Sequence, residues 1–221
     1  MKLHLLSCKQ IEKSHGSNQA SWLSDAEQAR AQRLRSVNAK RTFISSRLLC
    51  RAILAQELDT QPQNLSIALS PAGKPYVENA PDLHFNLSHS GQWIALGVSH
   101  TGPVGVDIEQ PQKQRPLLKI AQQFFHPEEV SLLQSLPAGQ CEQAFYRLWT
   151  LKEAFFKARG TGIAEGLAQV NFAAGNTPTA PAEFTPGQWH YFFTQPPVPT
   201  GEALYLACVS ASDSVVVEAY D

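Results

Sequence analysis

Helical periodicity followed by a run of short strand patterns occurs twice along the chain, and that order limits the fold more than any other feature. Met1 to Cys8 reads as a first strand. Ser24-Asp25-Ala26-Glu27 is a capping box, in which Ser24 and Glu27 satisfy each other's free amides, and it predicts a helix to about Arg35. A longer helix is expected over about Asn38 to Leu58, where Ile44, Leu48 and Ala52, and Phe43, Leu49 and Ile53, recur at helical spacing. Strand patterns follow at Leu65–Leu69, His84–Leu87, Trp93–Ser99 and Val104–Glu109, separated by Gly/Pro and Ser/Gly turns. The second pass begins at Pro116, which opens a helix to about Phe125, and Pro127, which opens another with Glu128 and Glu129 in its first turn. A strong helix spans about Cys141 to Ala158 and stops at Gly160. Strands are expected at Gln169–Ala173, Gln188–Thr194, Ala203–Ser210 and Ser214–Ala219. At roughly 150 residues per domain, 221 residues allow one large domain or two small ones. The repeated order, with a turn at Thr101-Gly102-Pro103, favours two α+β lobes, residues 1–102 and 103–221.

Composition removes several function classes. The 18 Lys and Arg against 19 Asp and Glu leave a net charge of -1, which argues against a DNA-coating protein and predicts no nucleic-acid partner. No apolar run approaches the ~18 residues that span a bilayer, so no membrane partner is expected. Leu5-Leu6-Ser7-Cys8 resembles a lipoprotein cleavage box, but the apolar stretch before it is short and contains His4. The four cysteines, Cys8, Cys50, Cys141 and Cys208, are scattered without a C-x-x-C pair. Reduced thiols and a cytoplasmic location are the expectation.

Three segments carry candidate chemistry. In Gly105-Val106-Asp107-Ile108-Glu109 a strand would turn Val106 and Ile108 to the core and set Asp107 and Glu109 side by side on the other face. Adjacent carboxylates repel unless something compensates. A hard divalent cation such as Mg2+ does so through oxygen ligands. An ordinary surface strand also carries such acids. In Trp149-Thr150-Leu151-Lys152-Glu153-Ala154-Phe155-Phe156-Lys157, Glu153 and Lys157 lie one helical turn apart. That is either an exposed ion pair or, given the surrounding aromatics, a third carboxylate for a metal with a lysine beside a phosphate. Phe85-Asn86-Leu87-Ser88-His89-Ser90-Gly91 places hydroxyls, an imidazole and free amides in one turn, which suits a phosphate or an ordinary hairpin. Lys40, Arg47 and Arg51 share one face of the long helix, solvated or anion-binding.

Together, and in this order, these segments resemble the 4′-phosphopantetheinyl transferases, the Sfp-type branch in particular. The Gly73-Lys74-Pro75 turn and the Gly160-Thr161-Gly162-Ile163 exit match as well, and the similarity covers roughly residues 20 to 173. The resemblance implies a fold of two similar α+β lobes related by a pseudo-twofold, with coenzyme A in the cleft between them, and a monomer. It implies transfer of the 4′-phosphopantetheine arm of coenzyme A to a serine of an apo acyl or peptidyl carrier protein, with adenosine 3′,5′-bisphosphate as by-product. Carried over, Asp107, Glu109 and Glu153 hold Mg2+, Glu153 also takes the serine proton, and Lys157 neutralises the pyrophosphate. Asn86, Ser88 and His89 belong to the coenzyme-contacting stretch. Gly73, Lys74 and Pro75 line the adenine side, and Arg47 meets a coenzyme phosphate. Arg30 is the preferred first-helix cation over Arg33 and Arg35, and Glu129 is either a further acid near the site or a helix N-terminal carboxylate. A Mg2+-dependent phosphohydrolase or nuclease would instead act without a carrier, and a docking module would bind a carrier indifferently to Mg2+.

Overall fold

The computed structural model describes residues 1–15, 19–111, 115–162, 166–180, 189–199, 201–211 and 215–219. Strand β1 (Lys2–Ser7) leads directly into helix α1 (Cys8–His15), then α2 (Asp25–Arg33) and the long α3 (Val37–Glu57). Five strands follow: β2 (Ile67–Leu69), β3 (Pro75–Val77), β4 (His84–Ser90), β5 (Trp93–Ser99) and β6 (Val104–Glu109). Then come α4 (Leu117–Phe124), α5 (Pro127–Ser135) and the long α6 (Ala138–Arg159). The chain closes with β7 (His190–Thr194), β8 (Tyr205–Ser210) and β9 (Val216–Ala219).

The strands form a four-stranded sheet in the order β4-β5-β1-β9, a three-stranded sheet in the order β6-β8-β7, and the small β2-β3 hairpin. Alternation along each strand explains how the layers stack. In β1 and β5, Leu6, Ile94, Leu96 and Val98 pack against Leu48, Leu49, Ile53 and Leu54 of α3. The intervening Leu3, Leu5, Trp93 and Ala95 face the second sheet, meeting Val104, Val106 and Ile108 of β6 and Leu206 and Cys208 of β8. The other side of β8, with Tyr205, Ala207 and Val209, is covered by α6 through Leu148, Leu151 and Phe155. The result is helix, sheet, sheet, helix. Each buried Leu or Ile contributes roughly 1.5–3 kcal/mol over an exposed one. This is the mixed α+β, two-lobe architecture that the repeated element order predicts.

Glycine fixes the closest approach. A Cβ on Gly105 would lie 2.0 Å from the carbonyl oxygen of Ala154 and 2.3 Å from the amide nitrogen of Ala158. Helix α6 can therefore rest on β6 only because this residue has no side chain. Gly105→Ala is expected to force the helix off the strand and to cost at least about 1–3 kcal/mol. A urea midpoint unchanged from wild type would contradict this packing.

Several expectations need correction. The Ser-His-Ser stretch is not a turn: β4 runs on to Ser90, and Ser88, His89 and Ser90 pair with Ala95, Ile94 and Trp93. Sequence reading missed α1, whose start has Ser7 and Gln10 exchanging hydrogen bonds in a capping box. It missed β3 as well. The expected strand Gln169–Ala173 is a 3-10 turn over Leu167–Gln169 followed by a single bridge from Asn171 to Thr179. The starts of two expected strands, Gln188 and Ser214, and the exit residue Ile163 lie outside the described residues. Strand β9 lies parallel to β1, so the last strand of the chain completes the first sheet.

Candidate active site

Three elements converge on one cluster. Alternation in β4 sends Phe85 and Leu87 toward α3 and turns Asn86, Ser88 and Ser90 toward β6. The two strand edges are then tied by side chains. Asn86 Oδ1 accepts the Val106 amide at 2.9 Å, Ser88 Oγ donates to Asp107 Oδ1 at 2.9 Å, and Ser90 Oγ donates to Glu109 Oε2 at 3.1 Å. Helix α6, held close by Gly105, brings Lys157 into the same space. Its Nζ lies 2.6 Å from Asp107 Oδ1, 3.1 Å from Ser88 Oγ and 3.9 Å from Glu153 Oε2.

The electrostatics are those of a crowded, half-dry site. Asp107 and Glu153 are buried, and the second oxygen of Asp107, Oδ2, is buried with no hydrogen-bond partner. Burial, then the charges of Asp107 and Glu109, push Glu153 up to about 7 against the pull of Lys157. Burial and Asp107 likewise raise Glu109. Burial works to lower Lys157, but Asp107, Glu153 and Glu109 outweigh it and hold the ammonium above its ordinary value. Among the described residues no three His, Cys, Asp or Glu side chains stand as a ready-made metal cage. The donor set is nonetheless hard carboxylate oxygen, with one lone oxygen buried and unpaired, which suits Mg2+.

Two hollows flank the cluster. The smaller, about 260 Å³, is walled by Gly73, Lys74, Pro75, Asn86, Lys157 and Gly160. Lys74 spans it, donating from Nζ to the carbonyls of Val104 at 3.1 Å and Ala158 at 2.9 Å. Burial lowers its pKa to about 8. Between about 8 and the ordinary lysine value of about 10.4 the folded protein therefore binds fewer protons at Lys74 than the unfolded chain. Stability attributable to this group is lowest below that window and rises with pH through it. Wild type should gain on Lys74→Met by roughly 1–3 kcal/mol between pH ~8 and pH ~10. Chemical denaturation of both proteins at the two pH values checks this, and a constant difference would contradict it.

The larger hollow, about 610 Å³, is lined by Arg30, Leu34, Asn38, Phe43, His89 and Gln110, among others. Arg30 from α2 and Arg47 from α3 each sit 5.4 Å from the centre of the Phe43 ring. Burial, then Lys157 and Arg47, lower the pKa of His89. The imidazole thus lies within the fields of both cationic groups.

The structure brings Asn86, Ser88, Asp107, Glu109, Glu153 and Lys157 together, with Gly73, Lys74 and Pro75 on one side and His89 and Arg47 on the other. Asn86 is engaged in clipping β4 to β6 through its carbonyl. Arg51 does not belong to an anion-binding face. It is buried, paired with Glu27 at 2.9 Å, and donates to the carbonyls of Pro62 and Leu65. Of its two expected roles, Glu129 takes that of the helix N-terminal carboxylate, closing the capping box of α5 with His126. It is wholly buried, 2.8 Å from Lys152, and accepts the amides of His126 and Phe172. Sequence reasoning had Ser90 only as a phosphate-facing turn hydroxyl and missed its bond to Glu109, and it missed Phe43 beside the site. The period-2 series Asn86, Ser88, Ser90 was the signal for the first, and Phe43 one turn before Arg47 the signal for the second.

Comparison with known proteins gives the family of the chain. A model of the 4′-phosphopantetheinyl transferase superfamily matches residues 103–207, and a model of the N-terminal part of 4′-phosphopantetheinyl transferase matches residues 12–101. A Synechocystis protein provisionally named a 4′-phosphopantetheinyl transferase is 41% identical over 150 residues, 67% of this chain and 61% of that protein. The 4′-phosphopantetheinyl transferase HetI of Nostoc is 38% identical over 167 residues, 74% of this chain and 69% of the relative. The 4′-phosphopantetheinyl transferase Sfp of Bacillus subtilis is 34% identical over 128 residues, 58% of this chain and 55% of the relative. The chain thus spans between about half and about two thirds of the length of these relatives. With family models matching both halves and Bacillus Sfp among its relatives, the chain belongs to the 4′-phosphopantetheinyl transferase superfamily, in its Sfp-type branch.

Proposed function

We propose that this protein transfers the 4′-phosphopantetheine group of coenzyme A to a serine of an apo acyl or peptidyl carrier protein, with Mg2+, releasing adenosine 3′,5′-bisphosphate. The observation that carries the reading is the cluster of Asp107, Glu109 and Glu153 around Lys157 and Ser88, with Asp107 Oδ2 buried and unpaired. Three acids beside one lysine are under-neutralised, and an added cation relieves them. Asp107, Glu109 and Glu153 would hold Mg2+, which when bound supplies charge neutralisation at the coenzyme pyrophosphate.

The chain's own groups account for the rest. A serine hydroxyl is a poor nucleophile at neutral pH and needs a proton acceptor. Glu153 takes that proton, directly or through a water. The serine oxygen bonds to the pantetheine-side phosphorus as the bond from that phosphorus to the bridging oxygen breaks. Lys157, preorganised by Asp107 and Ser88, stabilises the negative charge that builds on the leaving bisphosphate. His89 and Arg30 line the larger hollow, Arg47 rests over its Phe43, and the three take the remaining phosphate charge. Gly73, Lys74 and Pro75 face the adenine from the smaller one. In this reading residues 1–102 and 103–221 are the two lobes, and the enzyme works as a cytoplasmic monomer.

Chromatographic assay of adenosine 3′,5′-bisphosphate tests the reading. Its release should require coenzyme A, Mg2+ and an apo carrier together. Release without a carrier would point to a phosphohydrolase, and no release over a panel of apo carriers would contradict the proposal.

A further inference from the structure

We infer that Lys157 competes with the metal ion for Asp107, so that the site takes up its metal tightly only when the phosphates of coenzyme A draw the lysine away. The inference rests on the Mg2+ and coenzyme A reading above and goes beyond it by making one side chain the link between the two ligands. Lys157 Nζ lies 2.6 Å from Asp107 Oδ1 and 3.1 Å from Ser88 Oγ, and Ser88 Oγ donates to the same Oδ1 at 2.9 Å. One oxygen of Asp107 thus has two donors, while the other, Oδ2, is buried without any. A second acid, Glu153, has its Oε2 3.9 Å from the same ammonium. A cation that reaches Oδ2 must therefore share one carboxylate with an ammonium already in place. Two positive charges that close repel each other, and more strongly in a partly buried site than in water.

Lys157 is built to yield. Its ammonium ends a flexible four-carbon stem, and its side chain is 22% exposed against 6% for Asp107. It also forms part of the wall of the smaller hollow, with Gly73, Lys74 and Asn86. The side chain can turn from Asp107 toward a phosphate while α6 stays where Gly105 lets it rest on β6. Asp107 Oδ1 keeps Ser88 as a donor when the lysine leaves. The coenzyme pyrophosphate offers the lysine anionic oxygens and offers the metal further oxygen ligands. The coenzyme thus removes the competitor and adds ligands in one event. Metal and coenzyme then raise each other's affinity by the same factor, since the coupling of two binding equilibria is reciprocal.

Electron paramagnetic resonance of Mn2+, a divalent ion that takes the same oxygen ligands, tests the first half. Wild type, Lys157→Met, Lys157→Gln and Lys157→Arg are titrated at pH 8 without coenzyme. The Met and Gln variants should bind Mn2+ about tenfold or more tighter than wild type, as expected when a neighbouring like charge is removed. Lys157→Arg, which keeps the charge, should stay close to wild type. Calorimetric binding of coenzyme A with and without Mn2+, in the absence of a carrier so that no transfer occurs, tests the second half. The factor by which Mn2+ tightens coenzyme binding should be smaller in Lys157→Met than in wild type. Neutral variants that bind Mn2+ no tighter than wild type would overturn the inference, as would an arginine variant as tight as they are or an undiminished factor. Each of these results leaves the Mg2+ and coenzyme A reading standing. Failure of all four proteins to bind Mn2+, with or without coenzyme A, would overturn the metal reading and this inference together.

Discussion

Glu153→Gln is expected to lower the turnover of phosphopantetheine transfer by about 10²- to 10⁴-fold, the usual loss when a general base is removed. The amide keeps the shape of the side chain in its place on α6, 3.9 Å from Lys157 in the native arrangement. It removes the proton acceptor and one of three clustered negative charges. Coenzyme A binding should survive, because Ser88, Lys157, His89, Arg30 and Arg47 remain. Single-turnover transfer and calorimetric coenzyme binding, measured on the same preparation, separate the two effects. Wild-type turnover in this variant would remove Glu153 from the chemistry. Loss of coenzyme binding with unchanged single-turnover rate would make it a binding group instead.

The second large effect concerns stability. Lys152 and Glu129 are both fully buried, 2.8 Å apart, and each has further work. Lys152 Nζ also donates to the carbonyls of Leu167 and Val170. Glu129 also accepts amides from His126 and Phe172. The pair thus pins α6 to the start of α5 and to the segment that follows α6. Lys152→Met leaves a carboxylate buried without its cation, a change that typically costs about 3–5 kcal/mol. For a chain of this size that corresponds to a fall in Tm on the order of 10 °C. Adding Glu129→Gln to Lys152→Met should recover part of the loss, since the uncompensated charge goes while one of the two amides, that of His126 or that of Phe172, keeps an acceptor. Differential scanning calorimetry of the single and double variants checks this. A Lys152→Met protein as stable as wild type, or a double variant with fully additive losses, would contradict a charge-coupled pair.

Local signals carried much of the fold. Ser24 with Glu27 marks the start of α2, Gly160 marks the end of α6 in a left-handed cap, and the alternation in Gly105–Glu109 places Asp107 and Glu109 on one face. What the sequence hid depended on partners far along the chain. Ser88 and Ser90 look like turn residues, yet they continue β4 because β6 offers them Asp107, Glu109 and the Gln110 amide. Lys152 sits next to Glu153 in a helix pattern, and nothing local shows that one side chain goes to the interior and the other to the site. Glu129 decides it. Arg51 shares a helix face with Arg47 by spacing, but Glu27 and two carbonyls draw it inward. Helix α1 carries the same capping signal as α2, but among its residues whose burial is described, Cys8 to Ser14, only Cys8 and Ile11 are buried, too few to give an apolar period.

Intact-mass spectrometry of an apo carrier protein after incubation with this protein, coenzyme A and Mg2+ tests the central claim most directly. The account predicts that the carrier gains the mass of one 4′-phosphopantetheine arm, that a chelator or a Ser→Ala acceptor prevents the gain, and that Asp107→Ala protein fails to produce it. A panel of apo carriers left at their original mass, or a gain that persists with Asp107, Glu109 and Glu153 all replaced by Ala, would contradict it.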